Sequence, residues 1–136
     1  MSKGNVTEND FMLYTFNATA FSWNALTDLY VALHTADPGE TGTATTNETS
    51  YGGYARATVP RSNIGFTVSN NTARNTALVQ FPQCTSGSAT ITHVSIVTTS
   101  SGAGQILYKG ALDSPLAVST GIQPQFAANE LEVTED

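Results

Sequence analysis

His34 and His93 are the only imidazoles in this chain, and so the only side chains whose ordinary pKa lies near neutrality. A serine-type hydrolase needs a nucleophile, such a base and a carboxylate that orients the base. Serine and threonine are so abundant here that some hydroxyl always stands near a histidine, and the nearness carries no information. No Gly-x-Ser-x-Gly elbow occurs. His34 falls in a strand pattern beside Tyr30, and His93 in another beside Ser95. The plain reading of each is a hydrogen-bonded or exposed strand histidine, and no catalytic residue is predicted. Metal chemistry fares no better. Asp37 lies close to His34, but Pro38 and Gly39 explain that segment as a turn. Two histidines and one cysteine scattered along the chain do not make a zinc set. Asp37 and Glu40 would offer calcium two oxygens where it takes about six to eight. The acids Asp37, Glu40, Glu48 and Asp113 fall in turn-like stretches and those from Glu130 to Asp136 cluster at one end, so no glycosidase pair stands out. Gly52, Gly53, Gly102 and Gly104 lack the helix and lysine of a phosphate loop. No metal and no cofactor are predicted.

What remains is recognition. The chain carries 5 Lys and Arg against 11 Asp and Glu, a formal net charge of -6. That sign argues against a nucleic-acid partner and against an anionic membrane face. Three of the few cations, Arg56, Arg61 and Arg74, lie close in sequence, and a planar guanidinium is suited to bidentate contact with a partner's carboxylates. Tyr51 and Tyr54 flank Gly52-Gly53 at the end of a polar loop, where Tyr51 is hard to place in a core. Arg and Tyr carry interface energy more often than Thr or Ser. Tyr51, Tyr54, Arg56 and Arg61 are therefore the predicted partner-binding anchors. Phe21 and Trp23 are read as core, and the lone Cys84 as a small buried side chain.

The elements that hold these residues are mostly strands. Glu8 to Ala20 has the one helical rhythm, with Thr7 or Asn9 as its cap, and its wide apolar wrap predicts a short helix packed on its neighbours from more than one side. From Leu29 the period becomes two: Leu29, Val31 and Leu33 mark a core face, with Tyr30, Ala32 and His34 opposite. Asp37-Pro38-Gly39 ends that strand, and residues 41–50 read as a long polar loop with no apolar anchor. Further strands are predicted over 54–59, 65–68, 77–81, 90–98, 105–109, 116–119 and 122–126. Ser69-Asn70-Asn71, Ser86-Gly87-Ser88, residues 99–104 and Asp113-Ser114-Pro115 are the turns between them. In the longest strand Thr92, Val94 and Ile96 share one face. The fold class is mainly β, an antiparallel β-sandwich or jelly roll with one short N-terminal helix. Residues 1–136 read as one β domain, with a helix and arm over 1–28 and the sandwich over 29–136. The first residues lack the basic-then-apolar order of a signal peptide, and no apolar run of about 18 residues is present.

The run Leu29-Tyr-Val-Ala-Leu-His-Thr-Ala-Asp-Pro-Gly-Glu40, a Thr-rich loop, and Ser50-Tyr-Gly-Gly-Tyr-Ala-Arg56 resemble a family of small virion proteins of tailed bacteriophages. In that family a helix precedes the "LYVALHTADPG" strand and turn, and "Y-x-GYAR" opens the next strand. The resemblance is sharp from Leu29 to Arg61 and looser through Asp136. Its members are described as capsid cement (decoration) proteins or as tail-fibre-like proteins, and the motif has no catalytic role in either. The resemblance implies a part of the virion, and the short chain, free of repeats and shaft segments, points to a cement protein on the outer surface of the capsid. Such a protein would bind the assembled head and bridge neighbouring major capsid protein subunits, here as a homodimer, by binding energy alone. The alternative is a tail-fibre or other tail component. From a different class, a carbohydrate-binding module would use Trp23 or Tyr51 with Glu48.

Overall fold

The computed structural model describes all residues from Met1 to Asp136. Its elements run β1 (Ser2–Lys3), α1 (Asn5–Asn17), β2 (Asp28–His34), β3 (Ala57–Pro60), β4 (Phe66–Ser69), β5 (Thr72–Asn75), β6 (Val79–Gln80), β7 (Ser88–Val97), β8 (Ile106–Ser119), β9 (Gln125–Phe126) and β10 (Glu132–Thr134). All pairings are antiparallel: a five-stranded sheet β1-β8-β7-β2-β3, a three-stranded sheet β10-β5-β4 and the pair β6-β9. The fold is mainly β with one short helix, as the patterning predicts. One apolar cluster joins the sheets: Val31 and Leu33 of β2, Val59 of β3, Val79, Phe81, Ile91, Val94 and Ile96, closed by Leu131 and Val133 from the C-terminal strand.

β2 shows how sequence period and burial part company. Val31 and Leu33 enter the main cluster as the alternation requires. The opposite face is sealed as well, because Ala32 joins a second cluster with Ala44, Val97 and Ile106. Ala44 lies in the supposedly anchorless loop, fully buried, with its N–H donating to the Gly104 carbonyl at 2.9 Å. A methyl group is enough to anchor a loop when the site it fills is small. The turn that starts the loop is built as expected: Gly39 has φ 77° and donates its N–H to Asp37 Oδ1 at 2.9 Å.

Three expectations are corrected. The helix starts at Asn5 and ends at Asn17, not over 8–20, and its cap is Gly4. Asn5 N–H donates to the Glu40 carbonyl at 2.9 Å, so a distant loop fixes the start. Thr7, offered as a cap, lies inside α1 and donates instead to the Ile106 carbonyl at 2.7 Å. Second, Asp113-Ser114-Pro115 is not a turn between two strands but part of continuous β8. Ile91 pairs with Leu116 and His93 with Ala111, so Leu112, Asp113, Ser114 and Pro115 bulge opposite the single Thr92. A bulge leaves backbone groups outside the ladder, which is where a strand tolerates proline. Third, that irregularity breaks the alternation in β7. Ile91, not Thr92, shares the core with Val94 and Ile96. β1, β5 and β10 are strands the patterning missed, being two to four residues long.

Candidate binding surface

The Tyr51–Arg56 segment follows the Ala44 loop back toward β3, and the structure turns it inward. Arg56 is 8% exposed, and all five of its guanidinium N–H groups are used. Nε and Nη2 donate to the two oxygens of Glu48 at 2.7 and 2.9 Å. Nη1 donates to the carbonyl and hydroxyl of Thr99 at 2.8 and 3.0 Å, and Nη2 also to the Gly102 carbonyl at 2.6 Å. Tyr54 Oη donates to Glu48 at 2.8 Å and accepts the Leu33 N–H at 3.1 Å. The Glu48 carboxylate raises the Arg56 pKa further, and burial drives the Tyr54 phenol well above the tyrosine range. Tyr51 is 4% exposed, sits in the core cluster and donates to the Pro82 carbonyl at 2.6 Å. Tyr51, Tyr54 and Arg56 therefore form one internal clamp between loops and β2. The expectation that Tyr51 stands outside the core is corrected: an aromatic body packs in, provided its hydroxyl finds a partner.

Arg61 is placed elsewhere. Its Nη1 donates to the carbonyls of Asn24 and Leu26 at 2.9 and 3.0 Å, and its guanidinium lies 5.3 Å from the Trp23 ring centre. It ties the arm after α1 to the end of β3. That arm carries an aromatic stack, with Phe21 4.4 Å from Trp23, 5.0 Å from Tyr14 and 5.1 Å from Phe11. Phe21 and Trp23 are half-buried in it, away from the main core cluster. The remaining cations are paired as well. Arg74 donates to Glu132 at 2.8 Å, Lys3 pairs with Glu135, and Lys109 pairs with Asp37 and Glu40 at 3.1 and 3.3 Å. Every cation is thus engaged within the chain, and the arginines form no free basic patch.

His34 and Ser95 make a hydrolase-like pair that is sealed. Ser95 Oγ lies 2.7 Å from Nε2, but both residues are 0% exposed. Nδ1 lies 2.9 Å from the Thr46 carbonyl, which only accepts, so Nδ1 carries the proton and Nε2 accepts from Ser95. Burial lowers the His34 pKa below 6.5, so the folded state binds its proton less readily than the unfolded chain. Stability is then expected to fall as pH drops below 6.5, by up to ~1.4 kcal/mol per pH unit. Asp37 is held below the carboxylate range by the Gly39 N–H and Lys109, and Glu135 by Lys3 and Tyr108. Their contributions persist until pH falls through about 4 or lower. Urea melts between pH 5 and 7 check the assignment: His34→Asn should flatten the slope, and an unchanged slope places the proton elsewhere.

No three His, Cys, Asp or Glu side chains converge to hold a metal. Cys84 is buried as expected, its thiol 3.2 Å from the Ser86 carbonyl. A groove of ≈ 760 Å³ lies where the β8 bulge faces β9 and is lined by Leu112, Leu116, Phe126 and Leu131. The features patterning missed are exposed apolar side chains: Val6, Met12, Tyr14 and Phe16 on α1, and Ile64 and Val68 around β4. Their signal was present in the wide apolar wrap of the helix.

The chain is thus a small antiparallel β body whose cations are engaged internally and which carries apolar side chains at its surface. It is a structural protein of the bacteriophage virion. Residues 2–134 match the family model described as podophage GP4 fiber I protein gp80, and the chain belongs to that family. No curated protein matches it.

Proposed function

We propose that this chain is a subunit of a virion fibre and acts by binding alone. The observation that carries this reading is the family match, which covers residues 2–134 and bears the fibre description. The structure supports a binding role in two ways. The Ser95–His34 pair is closed to solvent, and half of the large exposed apolar side chains, Val6, Met12, Tyr14 and Phe16, gather on α1, with Ile64, Val68, Leu78 and Ile122 elsewhere on the surface. The family description favours a fibre over the capsid-cement role that the sequence resemblance implies. A carbohydrate module is disfavoured because Glu48 and Tyr51 are held by Arg56, Tyr54 and Pro82. Gold-labelled antibody against the chain, imaged on intact virions by electron microscopy, tests the reading. Label is expected on fibres. Label spread over the capsid facets would overturn the fibre reading and restore the cement role.

A further inference from the structure

α1 is apolar on two sides. Thr7, Phe11 and Tyr14 face the body: Thr7 is fully buried, Phe11 half-buried, and Tyr14 stacks on Phe21. Val6, Met12 and Phe16 point the other way and are 59%, 58% and 74% exposed. A helix that packs only on its own domain shows a single apolar stripe, so the second stripe lacks a partner. Its spacing is regular. Val6, Asn9, Leu13 and Phe16 follow at three, four and three residues, the a and d positions of a heptad, with Met12 flanking at g; Leu13 is half-buried, and the others are exposed.

The chemistry of the stripe selects its occupant. It carries no charge: Glu8 lies at the c position, and Asp10 is turned onto Trp23 and Gln105. In a chain of net charge -6, an uncharged stripe lets two identical copies meet without like charges in contact. A basic partner would find no acid on it. Asn9 is exposed, and its side chain makes no hydrogen bond within the chain. Between parallel, in-register helices Asn9 meets Asn9 at a d position, where the two amides satisfy each other instead of facing an apolar side chain. Antiparallel helices would set Asn9 against Leu13.

We propose that α1 is a self-association element, its outer stripe packing in parallel on that of a second copy, Asn9 against Asn9. The proposal rests on the fibre reading for the presence of many copies, and names the partner. The helix is about 20 Å long. A pair of that length covers roughly 400 Å² per copy, about half the standard share of an interface. Association through α1 alone is therefore weak, and a repeated assembly adds to it by avidity.

Sedimentation velocity of the full chain between 10 µM and about 1 mM tests the proposal. A concentration-dependent rise toward dimer or higher is expected. Met12→Glu with Phe16→Glu should weaken association by about 100-fold or more while the melting temperature holds, since both side chains are exposed. Under oxidation Asn9→Cys should cross-link as a dimer, with the buried Cys84 silent and Thr15→Cys, at a c position, unlinked. A wild-type monomer at 1 mM, or association untouched by the double variant, overturns the proposal. Association in which Thr15→Cys links and Asn9→Cys does not overturns the parallel seam. These results stand apart from the labelling outcome, which tests where the chain sits in the virion.

Discussion

Replacing Arg56 with alanine is expected to be the most damaging single change in this protein, lowering stability by about 3–5 kcal/mol. The guanidinium side chain is 3% exposed and spans three segments: the loop through Glu48, the β7–β8 connection through Thr99 and Gly102, and β3. Its removal leaves the Glu48 carboxylate with the Tyr54 hydroxyl as its one remaining donor, the Gly102 carbonyl with the Gly104 N–H, and the Thr99 carbonyl with none, in a largely buried site; an under-satisfied buried charge costs more than the pair itself contributes. At this size each kcal/mol is roughly 3–5 °C in melting temperature, so a drop of about 10–20 °C is expected. Arg56→Lys keeps the charge but not the fork, and should recover only part of the loss. Glu48→Gln combined with Arg56→Met should cost less than the sum of the two single changes, because the groups act as a unit. Thermal melts of Arg56→Ala, Arg56→Lys, the double variant and its two single changes decide it. A loss under about 1 kcal/mol for Arg56→Ala would mean that the clamp behaves as an ordinary surface pair.

The second large effect is expected at Asn75, a residue with no chemical role. It ends β5 and is fully buried. Its amide donates to the carbonyls of Ala77 and Ala127, each at 2.9 Å, and its Oδ1 accepts the Leu131 N–H at 2.9 Å. The backbone adds two bonds, Asn75 N–H to Leu131 and Asn129 N–H to Asn75. One side chain thus positions the segment that delivers Leu131 and Val133 to the core. Asn75→Ala should cost about 3 kcal/mol, one to a few for each orphaned group after partial relaxation. The damage should be local: the segment from Ala127 onward should exchange its amide hydrogens faster and become open to proteolysis, while β2 and β7 stay protected. Hydrogen exchange read by mass spectrometry separates these regions. Uniform loss of protection would show instead that the C-terminal strand is inseparable from the main sheet.

What could be read in the sequence was what local rules dictate. Alternation placed Val31 and Leu33 on a core face, and Asp37-Pro38-Gly39 could only be a turn. The motif around Leu29–Arg56 pointed to a phage virion. Partners distant in sequence decided the rest. Pro115 reads as a strand breaker until a bulge opposite Thr92 gives its missing N–H a place where none is needed. Thr7 reads as a cap until Ile106, 99 residues on, supplies a better acceptor. Residue type alone points to Tyr51 and Arg56 as interface anchors. Their direction depended on Pro82, Thr99 and Gly102, up to 46 residues away. A guanidinium gains as much from an internal ring of acceptors as from a partner's, and only the folded chain shows which of the two it has. The outward stripe of α1 is the converse. Its wide apolar wrap was legible, but that one side faces the body and the other faces nothing was decided by how α1 docks on β8.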